Sequence, residues 1–196
     1  MPKIYKYPPQ HETSSRDYIW SDGGYFRNFP PAIKLKDNRK GINFDVVRKI
    51  EYAPTCALLI HRRAFESVGL FDPGYFFFYE DWDYSERVRN AGLNIWCAPD
   101  AKLWHKVSSA TKKDMSAYWH MMGESGIRFF RRHSGFGSYS IQIAYFILRD
   151  FIFKFNNYKY LKHYLRGLRD GYSQNLGDFP DISNLMISKN YEDFKE

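Results

Sequence analysis

Three carboxylates fall within four consecutive positions of this 196-residue chain: Glu80, Asp81 and Asp83. A helix is predicted to begin here, and unpaired backbone N–H groups and the helix dipole at its start favour anions. An ionised carboxylate held in this way can accept a proton from a hydroxyl that attacks an electrophile. The same acids could instead be helix caps and surface charge, and the acids alone favour this structural interpretation over the catalytic one.

One imidazole adds to this pattern. His105 follows a strand-like segment, Lys102 to Trp104, and comes just before the hydroxyls of Ser108 and Ser109. Residues at strand ends and in the loops beyond them often contact ligands. A single histidine with distant acids is nevertheless a weak metal signal, so the residues alone leave His105 open between a structural and a ligand-binding role.

The elements that must position these side chains follow from apolar periodicity and from the glycines that end them. Gly69 and Gly92 are the expected stops of two short helices, and Asp81 or Asp83 is the expected cap of the second. The aromatic run 75–79 is predicted to pack into the core or to line a cleft. The predicted elements are a buried strand over 51–60, helices over 62–68 and 83–90, strands over 93–98 and 102–105, and a helix over 116–132.

A longer helix is predicted over residues 139–168, with one apolar face and a basic second half. The predicted apolar face consists of Ile141, Tyr145, Leu148, Ile152 and Phe155. The predicted basic stripe consists of Lys162, Arg166 and Arg169. Such a helix suits an anionic membrane surface, and an ordinary helix packed on the domain is the equal alternative.

The formal charge of +7 and the pI near 9.3 predict attraction to an anionic partner. The chain has no long Lys/Arg run and no recognisable nucleic-acid motif, so a nucleic-acid partner is not expected. Cys56 and Cys97 form no metal-type pair and are predicted to be free, buried thiols. No secretory signal follows Met1 and no apolar run approaches the roughly 20 residues of a membrane span. We therefore expect a cytoplasmic protein, either soluble or peripheral at the inner face of the membrane.

Three segments taken in order, residues 56–72, 78–83 and 98–105, resemble the acceptor-side half of family 2 glycosyltransferases of the rhamnosyltransferase and galactofuranosyltransferase kind. The resemblance extends to both sides and covers roughly residues 2–132. It implies an α/β fold of the partial GT-A type, a mixed sheet flanked by helices with a C-terminal helical extension. The predicted division is a catalytic half over 1–133, a basic amphipathic extension over 134–172 and a loose tail over 173–196.

The resemblance implies an inverting transfer from a nucleotide-diphospho-sugar donor to a glycan or lipid-linked glycan acceptor. In such enzymes a carboxylate takes the proton of the acceptor hydroxyl, and Mg²⁺ or Mn²⁺ stabilises the departing diphosphate. Matched by motif, Asp81 is the general base, and Glu80 and Asp83 support it. His105 is the expected metal ligand, and it is expected to contact the bound cofactor together with Ser108.

The segment Ile19-Trp20-Ser21-Asp22-Gly23-Gly24 resembles the family's Ile-Trp-x-x-Gly-Gly segment. Two successive glycines permit a tight turn or a close approach of the backbone to a ligand. The resemblance therefore assigns Trp20, Gly23 and Gly24 to the substrate.

Family members carry an N-terminal donor half with an Asp-x-Asp metal motif, which is expected before residue 2 and is not in this sequence. Asp81-Trp82-Asp83 matches the base motif instead. We therefore expect a donor-half partner chain or self-association, with little turnover of sugar nucleotide by this polypeptide alone. One alternative is a non-catalytic carbohydrate- or membrane-binding module. A metal-dependent hydrolase built on Asp81, Asp83 and His105 ranks last, because no second histidine or acidic ligand has a fitting spacing.

Overall fold

A computed structural model of the protein describes residues 1–6, 19–27, 32–35, 46–106, 114–152 and 155–177. The strands are β1 Pro2–Lys6, β2 Ile19–Ser21, β3 Gly24–Arg27, β4 Ala32–Leu35, β5 Arg48–Ile50 and β6 Ile95–His105. The α-helices are α1 Arg62–Val68, α2 Glu80–Asn90, α3 Met115–His133, α4 Phe136–Ile147 and α5 Leu161–Ser173. Ser108 and the end of the predicted tail lie outside the described residues, as does the side chain of Trp20.

A mixed sheet forms the centre of the fold, with the strand order β2-β1-β6-β5. Strand β1 runs parallel to β6 and antiparallel to β2, and β5 runs antiparallel to β6. Strands β3 and β4 form a separate antiparallel pair, which a bridge between Gly24 and Tyr52 joins to the segment after β5. Helices flank this sheet, so the predicted α/β class is confirmed.

Strand β6 replaces the two strands that were predicted on either side of Pro99-Asp100. Pro2 of β1 pairs with Ala98, and the next residue, Lys3, pairs with Lys102. The β6 residues 99–101 therefore form a bulge. A bulge accommodates a proline, because a residue outside the ladder needs no backbone N–H partner. The buried Pro99 therefore bends the strand without ending it.

The core beneath the sheet is small and apolar. It is formed by Met1, Ile4, Ile50, Ala53 and Cys97, all of them buried. Cys97 is a free buried thiol, as predicted. Burying these side chains, which come from three separate segments of the chain, fixes the sheet on which the candidate site is built.

The buried strand predicted over residues 51–60 is wrong, because β5 ends at Ile50, Tyr52 forms an isolated bridge and residues 53–60 are irregular. Cys56 is a free but exposed thiol, and Leu59 is 95% exposed. Strand β5 already pairs with the first half of β6, and the chain turns immediately after Pro54. A short apolar run has no periodicity by which a strand of the sheet could be distinguished from an irregular connecting segment.

Helices α3 and α5 pack closely through glycines. A Cβ on Gly167 would lie 2.0 Å from the carbonyl oxygen of His120, and one on Gly171 would lie 2.4 Å from the carbonyl oxygen of Glu124. A Cβ on Gly123 of α3 would likewise lie 2.4 Å from the carbonyl oxygen of Tyr164 in α5. Backbones can approach this closely only where side chains are missing. The crossing therefore fixes the position of α5 on α3.

The single helix predicted over residues 139–168 is wrong. Helix α4 passes into a π-helical turn, Leu148–Ile152, and a 3₁₀ helix, Phe155–Tyr160, precedes α5. The predicted apolar face is also rotated, since Ile141 is 57% exposed whereas Gln142 and Phe151 are buried. A π turn breaks the 3.6-residue period, so one apolar face cannot be extrapolated through it. Among the described residues, no helix combines the length and apolar character that crossing a membrane requires.

Candidate active site

A kink in the backbone presents the acidic segment. Phe78 and Tyr79 have φ values of 67° and 63°, in the left-handed region that aromatic residues rarely occupy. Such residues cost about 1–3 kcal/mol each and cluster at functional sites. The ring of Tyr79 packs against Trp82 and Phe129, with centroids 5.0 and 5.5 Å apart, and this packing holds the kink in place.

Helix α2 begins at Glu80, three residues earlier than predicted. The expected cap by Asp81 or Asp83 is wrong, because Tyr79 occupies the cap position and makes no side-chain capping bond. The left-handed backbone of Tyr79 starts the helix instead. All three acids therefore lie in the first turn, where the helix dipole favours negative charge.

Asp81 accepts two hydrogen bonds, one on each carboxylate oxygen. The phenol of Tyr52 donates to Oδ2 at 2.5 Å, and the backbone N–H of Trp82 donates to Oδ1 at 2.9 Å. Burial raises the pKa of Asp81 to about 7, the Tyr52 hydrogen bond opposes that rise, and the charge of Glu80 adds to it. A base whose pKa lies near the working pH combines substantial ionisation with proton affinity. Asp81 therefore has the properties of a general base.

Tyr52 links Asp81 to the diglycine segment. Its backbone exchanges hydrogen bonds with Gly24, both 3.0 Å long, and its side chain is buried. Burial raises the pKa of its phenol well above the ordinary value, so the phenol remains a donor. Gly23 has a φ of 100°, and a Cβ there would lie 2.5 Å from Ile50. The close contact between the Gly23 backbone and Ile50 is therefore a structural reason for a glycine here. The substrate roles of Trp20, Gly23 and Gly24 stay predictions.

Glu80 supplies a second carboxylate beside Asp81. The hydroxyl of Thr55 donates to its Oε1 at 3.4 Å. The other oxygen, Oε2, is buried, and no donor within the described part of the chain reaches it. A buried acceptor without a partner carries a desolvation cost that an incoming hydroxyl can relieve. The expected role of Glu80 in positioning the acceptor stays a prediction.

Asp83 has a different environment from its two neighbours. It is fully buried, forms a 2.8 Å ion pair with Arg87, and lies 2.8 Å from Nε2 of His133. Burial alone would raise the pKa of Asp83, but the His133 hydrogen bond and the Arg87 charge outweigh burial and lower it. Arg87 also donates to the carbonyls of Val68 and Leu70. Asp83 therefore joins α2 to α3 and to the end of α1, and its supporting role in catalysis stays a prediction.

His105 lies at the end of β6, half-buried and in register with Lys6 of β1. Within the described ranges, no group of three or more histidine, cysteine, aspartate or glutamate residues is placed to hold a metal ion. The described residues thus do not form the ligand set that Mg²⁺ or Mn²⁺ needs. The metal and cofactor roles of His105 and Ser108 stay predictions.

Sequence comparison identifies N-acetylglucosaminyl-diphospho-decaprenol L-rhamnosyltransferases from two strains of Mycobacterium tuberculosis as similar to this chain. Each is 33% identical over 89 residues, which is 45% of the chain and 29% of the relative. The match thus spans less than a third of the length of these curated relatives. No family model matches, and no solved structure matches significantly. The partial similarity supports a relationship between this chain and glycosyltransferases.

Proposed function

We propose that this chain is the acceptor-side part of a family 2 glycosyltransferase and that Asp81 is its general base. The observation that carries the proposal is a carboxylate with a pKa near 7, held by Tyr52 at the kinked start of α2. Both mycobacterial relatives are named as sugar transferases. The GT-A fold type belongs to the proposal as well.

In the proposed step, a hydroxyl oxygen of the acceptor forms a bond to the anomeric carbon of the donor sugar. The bond from that carbon to the diphosphate breaks, and its electron pair leaves with the diphosphate. The hydroxyl proton moves to the carboxylate of Asp81, while a different hydroxyl of the acceptor donates a hydrogen bond to Glu80 and so orients the acceptor. Attack from the side opposite the leaving group inverts the anomeric centre.

The relatives are named for a lipid-linked diphospho-sugar acceptor and an L-rhamnosyl product. We accordingly propose a nucleotide-diphospho-sugar as donor and a lipid-linked glycan as acceptor, with the reaction on the cytoplasmic side. The match covers only part of each relative, so we assign donor binding to regions outside the matched segment. Those regions would belong to a partner chain, a second copy or additional sequence.

The test is acceptor binding and sugar transfer with Asp81→Asn, using N-acetylglucosaminyl-diphospho-lipid as acceptor and a panel of nucleotide-diphospho-sugars as donors. Removing a general base lowers transfer by about 10²–10⁴-fold, whereas acceptor affinity should change by less than about threefold. Asp100→Asn is the matched control, because Asp100 is exposed on β6. Retained transfer in Asp81→Asn would refute the assigned base. Because donor binding is assigned to regions outside the matched segment, transfer is measured with those regions supplied. Acceptor binding without transfer from any donor under that condition would favour a non-catalytic carbohydrate-binding module.

A further inference from the structure

Helix α5 has two different faces. Tyr164, Gly167 and Gly171 are buried against α3, which the glycine contacts hold close. The opposite side is exposed and spans an arc of about 120° at 100° per residue. We name this side the α5 outer face, and it consists of Lys162, Leu165, Arg166, Arg169 and Tyr172.

All charged residues of the α5 outer face are positive. The face carries three cations and no acid among its five residues. Asp170, at the margin of the face, lies 2.9 Å from Arg169 and 3.0 Å from His120. Lys159, in the preceding 3₁₀ helix, is exposed and adds a fourth cation near the start of α5.

Large apolar side chains are exposed among these cations. Leu165 is 45% exposed and Tyr172 is 55% exposed, and Tyr158 before the helix is 63% exposed. The guanidinium of Arg131 lies 4.7 Å from the ring centroid of Tyr172, which orients the ring at one end of the face. A purely solvated face has little reason to expose these side chains together, whereas a helix at a lipid interface uses both cations and apolar groups.

We propose that the α5 outer face binds an anionic lipid surface, with its cations on the phosphates and Leu165 and Tyr172 at headgroup level. Each cation near such a surface contributes roughly fivefold to binding, so three or four give about a hundred- to several-hundredfold. Tyr172 is the single aromatic residue among the five of the α5 outer face, so this face has no row of stacked aromatics, which single-stranded nucleic acid would use. The proposal does not depend on the chemistry at Asp81.

The test is co-sedimentation with vesicles of phosphatidylcholine, with and without about one third phosphatidylserine. We expect binding to the anionic vesicles alone, weakening as NaCl is raised because salt screens exposed charges. Lys162→Gln/Arg166→Gln should lower the partition coefficient about 25-fold. Arg62→Gln/Arg63→Gln removes the same charge from the exposed start of α1 and should change it less than about threefold. Circular dichroism checks that both variants fold.

A second variant, Leu165→Ser/Tyr172→Ser, keeps every charge and should weaken the binding that remains at high salt. Equal losses in the two charge variants would overturn the proposal, because net charge would then account for binding. Equal binding to neutral vesicles would also overturn it. So would displacement of the protein from vesicles by single-stranded DNA at matched phosphate concentration, which would identify nucleic acid as the preferred partner.

Discussion

Replacing Asp81 with asparagine is expected to stabilise the fold at pH 8. Burial raises the pKa of Asp81 from 3.8 to about 7, which disfavours the carboxylate by about 4 kcal/mol in the folded state. Asparagine removes this penalty but makes a weaker hydrogen bond with Tyr52. We therefore expect the free energy of unfolding to rise by about 2–4 kcal/mol at pH 8.

The sign of the pH dependence follows from proton binding. Between about pH 4 and pH 7 the folded state holds a proton on Asp81 that the unfolded state has lost, so the stability of the unsubstituted protein falls as pH rises through this window. Below pH 4 both states are protonated. The advantage of Asp81→Asn should therefore grow from pH 4 to pH 7 and then level off.

Asp83→Asn should have the opposite effect at pH 8. It leaves the buried guanidinium of Arg87 without its carboxylate, which costs about 3–5 kcal/mol. Because the pKa of Asp83 is lowered in the folded state, its contribution is present above the ordinary carboxyl pKa and is lost on acidification. Two acids separated by one residue should thus change stability in opposite directions.

The assay is urea unfolding at pH 4, 6 and 8, followed by tryptophan fluorescence, with Asp100→Asn as the exposed control. The expected order of stability at pH 8 is Asp81→Asn above the unsubstituted protein and Asp83→Asn below it. If Asp81→Asn loses stability at pH 8, or gains the same amount at every pH, the assignment of a desolvated, ionisable Asp81 is wrong.

Two further predictions concern contacts that hold the site. Tyr52→Phe removes the hydrogen bond to Asp81 and should raise the pKa of Asp81 by about one to two units. The phenol of Tyr25 donates to the carbonyl of Lys49 instead, so Tyr25→Phe should leave the pKa of Asp81 unchanged. Carboxyl ¹³C NMR measures the pKa in both variants. Gly167→Ala forces a methyl group onto the α3 backbone and should lower the free energy of unfolding by about 2–3 kcal/mol. Gly137 in α4 has open space around it, so Gly137→Ala should not lower the free energy of unfolding. Thermal unfolding measures both variants.

Local signals predicted α1 correctly and α2 in part. The bounds of α1 agree with the prediction, and Gly69 ends it with a φ of 74°. Tyr84 and Val88, four residues apart, are buried on one face of α2, although Ala91 is exposed. These features depend on capping and on the 3.6-residue period, both of which are properties of short sequence windows.

Tertiary contacts decided what the sequence could not predict. The three acids looked equivalent, but the fold gives Asp81 a phenol and buries Asp83 between Arg87 and His133. The partner residues Tyr52 and His133 lie 29 and 50 positions away from their acids. No pattern in the sequence marks either residue, because their positions depend on the Gly24–Tyr52 bridge and on the packing of α3. The exposed basic stripe of α5 was predictable, whereas its closely packed glycine face was not recognised.

The most direct test of the central claim is the titration of the Asp81 carboxyl by ¹³C NMR, with the signal assigned through Asp81→Asn. We expect a midpoint near pH 7 and a change in the signal when N-acetylglucosaminyl-diphospho-lipid is added. A midpoint near pH 4, with no response to that acceptor, would contradict the assignment of Asp81 as the base.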